Sequence, residues 1–533
     1  MRVLVVGLTL VGAVVSRPSR IPLVVRLQSG LTVEGHTSTW RPSVVEYLGI
    51  RYAEPPVGSL RFMPPKASKK QGHFVASIFV LPSDCPSNGV NLAVNITSAR
   101  GIALASLASH GDVYNEDCLA VNVWTRPQAG ETAKAVLLWI YGGGFSFGTA
   151  ASPTYNGARL AEEQDVVVVT MNYRIGILGF PGAAGIEMNP GLLDQRMVVE
   201  WCRDNIHKFG GDPKRITLFG ESAGAASIVL TFRLAWTKDP IVNGFILQSG
   251  TYQLGSLIEF IGTIENGRNH TARWLAAANK AGCGEAGKST AEHALQCMQA
   301  KSWKDLLSSV SPAGITSSAG GLGNFSPIPD GKVVMTDYKA RAAAGNFIKR
   351  PMLVGNNQNE GSIFLIILGL KVPLNSPIYS QLSTSTFTCP SASAAAARAA
   401  QKIPVWRYYF AGRFPNQDIG LDAGAFHGSE IPLVFGSTEY QQIYYSKKTN
   451  NTLNFPDTAE QQQLVSSIMG TWSTFAKDPD HGLIKVLKYP VYNPKESTLI
   501  QLGDSNSSLI KVIRPIQTDA TCLITDSLAT LFG

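Results

Sequence analysis

At 533 residues, with 44% of them hydrophobic, the chain is long enough to bury a large core, and nothing in its length requires a second domain. Its formal charge of +8 comes from dispersed Lys and Arg, in runs no longer than pairs such as Lys69-Lys70 and Lys447-Lys448, which excludes a nucleic-acid footprint. No pair of Cys or His has the spacing of a metal site.

At the start, Met1 and Arg2 precede an uncharged apolar run, Val3 to Val15, with Val14 and Ser16 placed as a small-residue cleavage site before Arg17. The run is too short to span a bilayer, so residues 1–16 read as a signal peptide and 17–533 as the mature domain. No later segment is long enough to act as a transmembrane anchor. Sequons at Asn95, Asn269, Asn324, Asn450 and Asn506 suit a secreted glycoprotein, with Pro327 weakening the third.

Val136 to Ile140 read as a buried strand running into Tyr141-Gly142-Gly143-Gly144-Phe145, a glycine loop of the type that presents backbone N–H groups to an oxyanion. No Lys-Ser/Thr pair follows at the spacing of a phosphate loop. A second strand, ending in Ile216, Leu218 and Phe219, leads into Gly220-Glu221-Ser222-Ala223-Gly224. This GxSxG motif between strand and helix is the context of a nucleophile elbow, which makes Ser222 the candidate nucleophile. The candidate oxyanion donors are the N–H groups of Gly143, Gly144 and Ala223. Further apolar runs at Val166 to Val169, Phe245 to Leu247, Met352 to Val354 and Val405 to Phe410, separated by helical stretches, predict a mostly parallel central sheet.

In this kind of site the acid and the base follow the nucleophile along the chain. Of the histidines after Ser222, His270 lies in a sequon, His293 in a polar helix and His481 in a helix-ending turn. His427, in a loop beyond the Val405 to Phe410 strand, is the candidate base. Glu360, carried past the Met352 to Val354 strand by a polar turn, is the preferred acid. Asp330 is the runner-up, in a Pro-Ile-Pro-Asp-Gly turn where an Asp caps its own backbone. Downstream, Asp457 and Glu460 predict a capped helix with Leu464, Ile468, Trp472 and Phe475 buried, ended by Asp478-Pro479. Residues 314–324 read as a loop and the Ala-rich 391–400 as a surface helix.

Taken together, Gly49 to Gly58 (GIRYAEPPVG), Glu116-Asp117-Cys118-Leu119, Phe209-Gly210-Gly211, Gln248-Ser249-Gly250, Asn359-Glu360-Gly361 and Phe426 to Glu430 resemble the type-B carboxylesterase and lipase family, relatives of the cholinesterases, and especially its secreted fungal members. The resemblance runs from about Val33 to Tyr489. It implies a single-domain α/β-hydrolase fold, a mostly parallel sheet flanked by helices. It also implies Glu rather than Asp as the acid, and Ser249 as a support of acid and base, unless that serine merely ends its strand. Cys85–Cys118 and Cys283–Cys297 are the implied disulfides, leaving Cys389 and Cys522 as a possible third pair and Cys202 as a buried thiol. The implied activity is hydrolysis of a small-molecule ester or lipid through an acyl-enzyme, without a cofactor.

Two departures bear on specificity. Glu360 and His427 stand 67 residues apart, shorter than in relatives, which implies either that helices over the acyl pocket are missing or that the sequence lacks an exon. The Cys85 to Cys118 loop has no Trp, and Ile363 stands where cholinesterases carry an aromatic, so choline esters are poor candidates. The apolar stretch Ile102 to Ala108 within that loop reads either as an ordinary helix packed on the core or as a flap over an apolar cleft, and the flap reading predicts short to medium acyl esters and stimulation by emulsified substrate. Two other classes share such a scaffold. An acyltransferase would form a new ester instead of free acid, and an adhesion protein would lack the nucleophile that is present here.

Overall fold

A computed structural model describes residues 23–522 except 77–82, 90–94, 109–112, 127–129, 234–239, 253, 255–268, 285–289, 311–323, 368–376 and 421, so the leader and most of the 314–324 stretch lie outside the described residues. The apolar runs form one 11-stranded sheet. Its strands are β1 (His36–Thr37), β2 (Val45–Arg51), β3 (Ala120–Thr125), β4 (Lys134–Ile140), β5 (Val167–Met171), β6 (Gly211–Glu221), β7 (Gly244–Gln248), β8 (Met352–Asn357), β9 (Val405–Gly412), β10 (Leu499–Ser505) and β11 (Ile510–Ile513). Across the sheet the order is β1-β2-β3-β5-β4-β6-β7-β8-β9-β10-β11. Pairing is parallel from β5 through β10 and antiparallel at both margins.

The centre of the sheet is covered on both faces, which is why its strands read as unbroken apolar runs; Val136 to Ile140 are 0% exposed throughout. Register then places the site. Ile140 pairs with Gly220, Glu221 with Gln248, and Gln248 with Gly355, so the loops after β4, β6, β7 and β8 leave the same edge, at the carboxyl ends of the strands.

The helices that matter are α1 (Ala99–Ala108), α2 (Ala223–Ser227), α3 (Gly361–Ile367), α4 (Cys389–Ala400), α5 (Thr438–Thr449) and α6 (Ala459–Lys477). On α6, Leu464, Ile468, Trp472 and Phe475 are all fully buried, each contributing about 1.5–3 kcal/mol of burial. Its N-cap is Thr458, which accepts from Gln461 N, rather than Asp457. Asp457 instead accepts from Asn416 Nδ2 and Thr438 Oγ1. The Ala-rich segment forms α4, but not as a surface helix. It packs on β8 and β9, and Arg398 is wholly buried, donating to Ile348 O.

Disulfides join Cys85–Cys118, Cys283–Cys297 and Cys389–Cys522, while Cys202 is a buried free thiol whose pKa burial pushes up. The segment offered as a flap or as a packed helix belongs to the helix α1. Leu104 belongs to the main core, and Ile102 and Ala105 pack with Tyr445 of α5, so what reaches the neighbouring cavity is Ala99, Ile102, Ala103 and Ser106. The side chain of Leu107 lies outside the described residues. No described helix is long and apolar enough to cross a membrane.

Candidate active site

Ser222 sits between the end of β6 and the start of α2 with φ 55° and ψ −123°, a conformation that costs a residue with a Cβ about 1–3 kcal/mol. The turn is held because Ser222 N donates to Gln248 O (2.9 Å) and its own carbonyl accepts from Ala226 N (2.9 Å). Gly224 has no alternative: a Cβ there would lie 2.0 Å from Ile140 O, so only glycine lets α2 start against the end of β4. At Gly143 φ is 93°, and its carbonyl accepts from Ser146 N and Phe147 N, curling the glycine loop beside the elbow. Gly143, Gly144, Ser222 and His427 line one cavity, and Ala223 opens α2 directly behind the serine.

Glu360 is wholly buried in the loop between β8 and α3. Its Oε2 accepts from His427 Nδ1 (2.5 Å), and its Oε1 accepts from Asn357 N (2.6 Å) and Ser249 Oγ (2.5 Å). Ser249 therefore touches the carboxylate rather than merely ending β7. Asn359 N donates to Ala425 O (2.8 Å), joining the acid's loop to the base's loop. Asp330 is elsewhere engaged. Its Oδ1 accepts from Lys332, Val333 and Val334 N and its Oδ2 from Asn189 Nδ2, so it caps its turn. His293 and His481 are exposed, and His270 opens a helix away from the cavity.

Several neighbours were not foreseen as site residues. Glu221 Oε1 lies 3.0 Å from His427 Nε2 without hydrogen-bond alignment, and that nitrogen has no hydrogen-bond partner, Ser222 Oγ included. Such contacts tighten when substrate fills the site. Burial acts to lower the His427 pKa, but the charges of Glu221 and Glu360 outweigh it and hold the imidazole well above its usual range. Glu221 is itself raised by burial against the lowering effect of His427. Glu430 is pushed up to about 7 by burial and by Glu221 and Glu360, although Asn357 Nδ2 and Gln248 Nε2 both donate to it. Trp472 Nε1 of α6 donates to Gln248 Oε1 (2.9 Å), tying this polar group to the core. The rings of Phe364 and Phe387 each centre 4.9 Å from the imidazole and fix its plane. Glu221 and Glu430 were both visible in the motifs, but only their charge next to a buried ring gives them a part.

The described part of the cavity measures about 90 Å³. Around the serine it is lined by Phe147, Tyr155, Leu254, Ile363, Phe364 and Phe426. The arrangement can deprotonate a hydroxyl, orient the imidazolium that results, and place backbone donors against a developing oxyanion.

The sequence model of the Carboxylesterase family matches residues 22–381 and 374–520. "Secreted lipase 5" of Gibberella zeae is 32% identical over 497 residues, covering 87% of this chain and 88% of its own. "Chlorogenic acid esterase" of Aspergillus niger is 33% identical over 470 residues, with 87% and 84% covered. "Cholinesterase" of Mus musculus is 29% identical over 529 residues, with 89% and 82% covered.

Proposed function

Because the chain belongs to the carboxylesterase family, and is thereby a carboxylic ester hydrolase, we propose that it is exported and works by a serine acyl-enzyme mechanism on short to medium acyl esters. The observation that carries the mechanism is the buried run Ser249–Glu360–His427 ending in the cavity that Ser222 lines. His427 takes the proton of Ser222 as the serine attacks the ester carbonyl. Glu360 holds the imidazolium, and the N–H groups of Gly143, Gly144 and Ala223 stabilise the oxyanion. His427 then gives the proton to the leaving alcohol, and water repeats the sequence to release the acid. Export, with removal of residues 1–16, is supported by the leader, the disulfides and the similarity to a secreted lipase.

The apolar side chains of Phe147, Leu254, Ile363 and Phe364, which line the same cavity as Ser222, suit a short to medium aliphatic acyl chain. In a series of p-nitrophenyl esters, kcat/KM is expected to peak at acetate to butyrate and to fall at least tenfold by decanoate. A maximum at decanoate or beyond would contradict the short-chain reading, and no hydrolysis of any member would contradict the activity.

The pH dependence has a definite sign. Acylation needs neutral His427, whose pKa is raised, so activity is lost as pH falls through a midpoint above the ordinary histidine value. Glu221→Gln removes the largest upward push and is expected to move the acid limb of kcat/KM to lower pH. A limb that stays in place or moves up would show that Glu221 does not set the imidazole's charge.

A further inference from the structure

The cavity has two kinds of lining. Beyond the aromatic and aliphatic side chains around Ser222, it is walled by the carboxamides of Asn416, Gln417, Gln441 and Gln442, with Ser106 and Thr438. Among the described lining residues the only carboxylate is Glu221, and there is no Lys, Arg or Asp. A concentration of neutral amides is unexpected in a pocket for alkyl chains, where each must be kept hydrated or paired.

These amides are held in place and keep spare bonding capacity. Gln442 donates from Nε2 to Phe455 O (2.6 Å) and accepts at Oε1 from Phe455 N (2.6 Å). One proton and one lone pair remain on it. Gln441 Oε1 accepts from Ser106 Oγ (3.0 Å) and its Nε2 reaches Thr154 Oγ1 at only 3.4 Å. Asn416 Nδ2 donates to Phe455 O (3.2 Å) and Asp457 Oδ1 (2.8 Å), which fixes the amide's orientation and leaves its buried carbonyl oxygen without a partner. Gln417 Nε2 donates to Ser429 O (3.1 Å), tying the wall to the loop two residues beyond His427.

That tie sets the wall beside the loop that carries His427. The imidazolium must hand its proton to the leaving oxygen, so the leaving alcohol lies on the His427 side. We infer that the carboxamide wall of Asn416, Gln417, Gln441 and Gln442 reads hydroxyl groups on the leaving alcohol, making esters of uncharged polyols the preferred substrate class. A hydroxyl both donates and accepts, matching Gln417, Gln441 and Gln442, which each keep a proton and a lone pair, and Asn416, which keeps its acceptor. A cationic alcohol would find no aromatic or acidic partner among these four side chains, and a plain alkyl alcohol would strip water from them and replace nothing. The inference rests on the ester-hydrolase reading and goes beyond it by naming the alcohol.

The test compares glycerol 1-monobutyrate with propyl butyrate, which share the acyl group and the three-carbon alcohol skeleton and differ in two hydroxyls. In the parent enzyme, kcat/KM is expected to favour the glycerol ester by roughly tenfold or more, the value of one to two neutral hydrogen bonds. Gln441→Leu and, independently, Gln442→Met should bring that ratio close to one, mainly by raising KM for the glycerol ester. A parent ratio of one or below overturns the inference while leaving the hydrolase intact, and so does a ratio that survives in both variants. Hydrolysis of neither ester by the folded parent would overturn the hydrolase reading itself. The parent ratio needs no variant and stands even where a substitution prevents folding.

Discussion

Ser222→Ala is expected to lower kcat on p-nitrophenyl butyrate by at least about ten-thousandfold, to the residue of catalysis that oxyanion donors and binding supply alone. The substitution removes the attacking oxygen and little else. Ser222 holds φ 55° whichever side chain it carries, and the bonds that fix the elbow are made by its backbone, to Gln248 O and from Ala226 N. Alanine has the same Cβ, so the strain of the turn is unchanged and the thermal midpoint should stay within a few degrees of the parent. A folded Ser222→Ala protein with parental activity would remove the nucleophile from the account.

Glu360→Gln is expected to cost about a thousandfold to ten-thousandfold in kcat, close to the loss seen when a triad acid becomes an amide. Glu360 Oε1 already accepts from Asn357 N and Ser249 Oγ, so the amide oxygen of Gln settles there and its NH2 turns toward His427 Nδ1. That nitrogen must then accept, which places the ring proton on Nε2, where it cannot take the proton of Ser222. Asp330→Asn, by contrast, is expected to change kcat less than twofold, since Asp330 caps its own turn away from the cavity. If Asp330→Asn inactivates and Glu360→Gln does not, the acid has been misassigned.

The parts of the site legible in the sequence are those whose geometry is local. The elbow announces itself because Gly220 and Gly224 are forced by close approach of the β4 end, and the strands because a covered parallel sheet leaves unbroken apolar runs. What escaped is what the fold assembles from distant segments. Gln248 and Glu430 are 182 residues apart and bonded. Phe364 and Phe387 come from different helical segments to the same imidazole. Glu221 stood in the motif itself, yet its effect on His427 depends on a distance no spacing rule supplies. Alanine is equally at home on a surface and under a sheet, so an Ala-rich composition does not tell which face of the fold α4 takes. Its buried Arg398 donates to Ile348 O, a partner 50 residues away. The cap of α6 fell to Thr458 because Asp457 is engaged by Asn416 and Thr438.

Covalent trapping tests the central claim most directly. The purified enzyme is inactivated with an organophosphate ester, digested, and mapped by mass spectrometry. A single phosphoryl group per chain on the peptide containing Gly220 to Gly224, at Ser222, with activity lost in proportion to labelling, is the expected result. Inactivation with the label on a different residue, or full labelling of Ser222 with activity retained, would contradict the assignment of Ser222 as the residue that carries the acyl group.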